Sequence, residues 1–114
     1  MKLWIDDVRP APEGYVWCKT VDHAKSIIEL WEANWYKDDL NIPIIILAYG
    51  RGIELIDIDH DAGDYAHLGG DYIKLLDWLE ETGRNYPIRI HSANPVGVAN
   101  MRRIIQRNGW KEIK

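Results

Sequence analysis

Short apolar runs alternate with amphipathic stretches along this chain, and that alternation constrains the fold more than any other feature. Residues 2–5, 15–19, 53–59 and 87–90 are brief and apolar. Between and after them, apolar side chains recur at helical spacing. One series is Val21, Ala24, Ile27, Ile28, Leu30, Trp31 and Trp35, and another is Tyr72, Ile73, Leu75, Leu76, Trp78 and Leu79. A third helix is expected over 96–108. Strands that alternate with helices predict an α/β fold around a mostly parallel sheet. No repeat, low-complexity tract or linker interrupts the pattern, so residues 1–114 read as one domain.

Local punctuation supports these assignments. Thr20 is placed to cap the first helix, Pro95 suits a first helical turn, and Gly83 and Gly109 suit helix stops. Pro10, Pro12 and Gly14 make the stretch after the first strand a loop. The β-branched run 42–48, followed by Tyr49-Gly50-Arg51-Gly52, predicts a hairpin with 53–59. Its open edge offers a pairing surface to a second copy, hence a homo-oligomer. Residues 60–70 read as loop and 110–113 as a last short strand.

Bulk properties exclude several classes. The formal charge of −4 weighs against binding bulk duplex DNA. The basic residues Arg102, Arg103, Arg107, Lys111 and Lys114 read as a solvated helix face. Cys18 is the one cysteine, so no internal disulfide forms; it reads as a core thiol in a cytoplasmic protein. Asp6 and Asp7 break any apolar leader at once. No run approaches the roughly 18 apolar residues of a membrane span.

Three expected strands end in chemically capable residues: Asp6-Asp7, Asp59-His60-Asp61, and His91-Ser92-Ala93-Asn94. In an open α/β sheet, ligands bind beyond the carboxyl ends of the strands. If these strands are parallel neighbours, the three groups meet. Asp6 and Asp7 repel each other unless a cation or water lies between them. They read either as a solvated turn pair or as ligands of Mg²⁺ or Mn²⁺, with Asp59 as a third. Asp59 also reads as an Asx-turn cap. His60, between two acids, and His91 are candidates for proton transfer. Ser92, Asn94 and Gly97 lie at a strand-to-helix turn whose unpaired N–H groups suit a phosphate. Asn94 fits an N-cap there as well. Arg9 could reach a phosphate or pair with a surface acid. His23 and His67 have no evident partner, and a zinc site is disfavoured for want of a Cys pair.

Together these residues resemble the cyclic-phosphate processing receiver-like family, an offshoot of the response-regulator receiver fold. The resemblance rests on Leu3-Trp4-Ile5-Asp6-Asp7-Val8-Arg9-Pro10-Ala11-Pro12, on Asp59-His60-Asp61-Ala62-Gly63, and on Gly70-Asp71-Tyr72 leading into Trp78-Leu79-Glu80. Ile90-His91-Ser92-Ala93-Asn94-Pro95-Val96-Gly97 and Asn100-Met101 complete it. It implies a flavodoxin-like three-layer sandwich with strand order 2-1-3-4-5, a reduced first helix and an inserted strand near 42–48. It implies that Asp6 and Asp7 match the metal-binding pair, Asp59 the phosphoacceptor and Ser92 the strand-four hydroxyl of receivers.

The implied activity is metal-dependent hydrolysis of a cyclic phosphate, on a small phosphorylated molecule or an RNA end, with His60, His91 and Asp59 as catalytic residues. A non-catalytic phosphate- or nucleotide-binding module and a degenerate phosphoacceptor are the alternatives. Against ordinary receivers, the first helix is replaced by the loop at 10–14. The strand-five lysine has only Lys111 as a weak match, and no final helix follows. Ala62 stands where a larger apolar residue is expected.

Overall fold

The computed structural model describes residues 1–35 and 52–114. Strands β1 (Lys2–Ile5), β2 (Tyr15–Cys18), β3 (Leu55–Ile58) and β4 (Ile88–Ile90) form one sheet. Helices α1 (Val21–Trp35), α2 (Ile73–Glu81) and α3 (Pro95–Asn108) follow β2, β3 and β4. All strand pairs are parallel, in the order 2-1-3-4. The carboxyl ends of β1, β3 and β4 therefore lie side by side.

Period-two alternation sorts the sheet residues onto two faces. Leu3, Val16, Ile56 and Ile88 share one row, and Ile5, Cys18, Ile58 and Ile90 share another. These pack with Val21, Ala24, Ile28 and Trp31 of α1, Leu75, Leu76 and Leu79 of α2, and Met101, Ile104 and Ile105 of α3 in a single core. Each fully buried Leu or Ile contributes about 1.5–3 kcal/mol. The opposite face carries Lys2, Trp4, Tyr15, Trp17, Asp57 and Arg89.

Local chemistry sets the helix ends. His23 N–H donates to Thr20 Oγ1 at 2.9 Å, which caps α1. Gly97 N–H donates to Asn94 Oδ1 at 3.0 Å, with Pro95 in the first turn of α3. Gly109 ends α3 in the left-handed region at φ 68°.

Three expectations need correction. The fifth strand is reduced to one parallel bridge, Ile88 to Glu112, beside β4. Two backbone hydrogen bonds hold it there, Ile88 N–H to Lys111 and Ile113 N–H to Ile88. The expected strand 53–59 shortens to Leu55–Ile58. The three-layer sandwich is two-layered among the described residues, because all three helices join one core on one face. Loop 6–14 joins β1 to β2 in place of a helix, since Pro10 and Pro12 offer no N–H to a helical ladder. The hairpin strand expected at 42–48, and the homo-oligomer argued from it, lie outside the described residues. Among the described residues, no helix is long and apolar enough to cross a membrane.

Candidate functional site

Asp6 follows β1 directly and is fully buried. Its Oδ1 accepts the backbone N–H groups of Val8 and Arg9, each at 2.9 Å, so the chain turns around the carboxylate. Its Oδ2 lies 2.9 Å from His91 Nε2. Burial pushes the Asp6 carboxyl up, but the bonds from Arg9, Val8 and His91 outweigh it and hold the group below the usual range.

His91 follows β4 and stands between two acids. Its Nδ1 lies 2.6 Å from Asp57 Oδ1, opposite the contact to Asp6. Ionised carboxylate oxygens only accept, so both contacts are satisfied when each ring nitrogen carries a hydrogen. Burial disfavours that charge, yet Asp57 and Asp6 together raise the His91 pKa above its ordinary value. The Trp4 indole is stacked on the ring.

Asp7 and Asp59 are half-buried beside Asp6. Asp59 N–H donates to Ile5 O at 2.9 Å, which draws the end of β3 against the end of β1. Asp59 Oδ1 accepts the His60 N–H at 2.7 Å. One carboxylate oxygen from each of Asp6, Asp7 and Asp59 lies within 4.8 Å of the others. Burial, together with the charges of Asp6 and Asp59, pushes the Asp7 carboxyl up, against the pull of its own backbone N–H. A cation among the three would reverse that repulsion. Gly63 helps to shape the cradle: at φ +55° it lies so close that a Cβ would overlap Asp7 Oδ2. Three hard oxygen donors at this spacing fit a divalent cation.

Burial pushes the Tyr72 phenol up, as do the charges of Asp7, Asp6 and Asp59. Its hydroxyl donates to Lys19 O at 2.7 Å, which ties the start of α2 to the end of β2.

A second group forms where the turn after β3 meets the start of α3. His60 Nδ1 lies 2.8 Å from Asp61 Oδ1. Asn94 Nδ2 lies 3.4 Å from both Asp61 oxygens, so Asp61 bridges the two turns. The His60 ring packs directly on Gly97, where a Cβ would overlap it. Ser92 Oγ accepts the Asn94 N–H at 3.2 Å.

Asp6, Asp7 and Asp59 thus meet, with His91 joined to Asp6 and with His60, Asn94 and Gly97 alongside. Arg9 differs: its backbone serves Asp6, while its exposed side chain bonds to none of the described residues. His23 and His67 are exposed elsewhere. Burial pushes the Cys18 thiol up to about 12, which removes it as a nucleophile near neutral pH. Sequence reasoning missed Asp57 and Trp4. The alternation puts Asp57 two residues before Asp59, but its place beside Trp4 and His91 comes from the sheet register and the turn after β4.

No curated protein and no solved structure matches the chain. Residues 1–107 match the cyclic-phosphate processing receiver domain, and the chain belongs to that family.

Proposed function

We propose that the chain binds and hydrolyses a cyclic phosphate at the carboxyl edge of its sheet, with Mg²⁺ or Mn²⁺ held by Asp6, Asp7 and Asp59. One observation carries this reading: three carboxylates converge within 4.8 Å at adjacent strand ends, in a chain of a cyclic-phosphate processing family. The substrate is a small cyclic nucleotide or an RNA end. The lone, buried Cys18 suits a reducing compartment such as the cytoplasm.

When bound, the cation polarises a phosphoryl oxygen and offsets charge in the transition state. The chain's own residues do the rest. Ser92 and the first turn of α3 face the phosphate; Asn94 takes the Gly97 N–H, which leaves the Val96 N–H as an orphan donor of that turn. His60 is the proton-transfer group, because Asp61 holds its Nδ1 and leaves Nε2 for water or the leaving oxygen. Water adds to phosphorus, the ring P–O bond breaks, and the departing oxygen takes a proton. His91 has a carboxylate at each nitrogen and acts through Asp6.

Mass spectrometry after incubation with Mg²⁺ or Mn²⁺ and a panel of cyclic nucleotides and cyclic-ended RNA tests the reading. The expected product gains one water, only with metal, and disappears in His60→Ala. Saturable binding without product would favour the non-catalytic module. An adduct on Asp59 after acetyl phosphate would favour the phosphoacceptor. No product from any member of the panel would sink hydrolysis.

A further inference from the structure

Asp57 is a buried acid that the proposed reaction does not touch. It lies on the sheet face away from the helices, level with Trp4 of β1 and Arg89 of β4. Only 2% of it is exposed. A carboxylate withdrawn from water is costly unless it is paired, and His91 Nδ1 at 2.6 Å is its partner.

The pair continues to the acidic cluster. Backbone N–H groups anchor one oxygen of Asp6, and among the described residues His91 Nε2 is the nitrogen that holds the other, at 2.9 Å. The orientation of Asp6 therefore depends on the His91 ring. Two contacts stop that ring from turning: the Trp4 indole over its plane and the Asp57 carboxylate at its far nitrogen. A carboxylate behind a histidine sets the ring's orientation and fixes a hydrogen on the nitrogen it contacts.

We propose that Asp57 is a positioning residue, which fixes the His91 ring and, through it, the Asp6 carboxylate of the acidic cluster. The link to metal rests on the reading of that cluster as a cation site. Asp57 touches neither substrate nor ion. It sets the direction of one ligand from the far side of the imidazole.

The test compares wild type, Asp57→Asn and Asp57→Ala by two readouts. The first is the ¹⁵N ring spectrum of His91 in metal-free protein. A hydrogen-bonded Nδ1–H signal is expected in wild type and in Asp57→Asn, whose amide oxygen still accepts, and its loss in Asp57→Ala. The second is Mn²⁺ titration of the same proteins. Asp57→Ala should bind about 10-fold more weakly, and Asp57→Asn should keep most of the affinity. If Asp57→Ala does not fold, Asp57→Thr, too short to reach the ring, takes its place. An unchanged His91 signal with unchanged Mn²⁺ affinity in the short variant overturns the proposal. If wild type binds no Mn²⁺, the cation reading fails by itself. The ring spectrum then decides the role of Asp57: loss of the signal in the short variant supports it and retention overturns it.

Discussion

The imidazole of His91 lies flat on the indole of Trp4, with ring centroids 3.8 Å apart and planes 6° from parallel. Asp57 and Asp6 favour the charged form of that ring, so the stack places a cation on the face of an electron-rich system. The Trp4 Nε1–H also donates to Arg9 O at 2.9 Å, which ties the loop after β1 back onto the sheet. A side chain on the face opposite the three described helices thus braces both His91 and the turn around Asp6.

Trp4→Leu removes the stack and that hydrogen bond. With about 1 kcal/mol for each, it should destabilise the fold by about 2 kcal/mol. Urea denaturation measures this, and Trp4→Phe, which keeps a ring, should lose about half as much.

The His91 contacts also give a pH dependence of stability in metal-free protein. Its folded pKa lies above the ordinary 6.5, so the stabilisation is fully present below 6.5 and is lost as pH rises through the folded value. Asp6 is held below 3.8, so its share is present above 3.8 and is lost as pH falls through the folded value. Melting temperatures in EDTA should therefore fall on the alkaline side of 6.5. Asp57→Asn should flatten that limb, since Asp57 is the stronger support of the charged ring.

Gly97→Ala separates helix stability from site geometry. Alanine is better than glycine inside a helix by about 1 kcal/mol. Its Cβ would nevertheless overlap the His60 ring and push it away. Folding should survive, the ring signals of His60 should shift, and turnover should fall by about 100-fold.

Gly63→Ala acts on the acidic cluster. A side chain at φ +55° costs about 1–2 kcal/mol, and its Cβ would displace the Asp7 carboxylate. Thermal melts should show the first effect. Mn²⁺ titration should show the second, as an affinity lowered by about 10-fold.

Much of this was legible in the sequence because it depends on local rules. Thr20, Asn94, Pro95 and Gly109 sit at helix ends for backbone reasons, and the acids and histidines end strands that a parallel sheet must bring together. Asp57 was not legible, because an acid on one side of a strand reads as solvent-facing. Its surroundings include Trp4 from β1 and His91 from the turn after β4, which no local rule brings to it. The last strand was over-read because the apolar residues Trp110 and Ile113 suggest a ladder, whereas only Glu112 pairs with β4. The part Arg9 plays for Asp6 could not be read either, because it is the backbone N–H and not the guanidinium that bonds the carboxylate.

The most direct measurement is a ³¹P NMR time course of a 2′,3′-cyclic nucleotide with purified protein and Mg²⁺ or Mn²⁺. Conversion of the cyclic resonance to that of a monoester is expected in wild type, with loss in EDTA and in both Asp7→Asn and His60→Ala. A cyclic resonance that persists with either metal, or conversion that continues in Asp7→Asn at the wild-type rate, would contradict metal-dependent hydrolysis at this site.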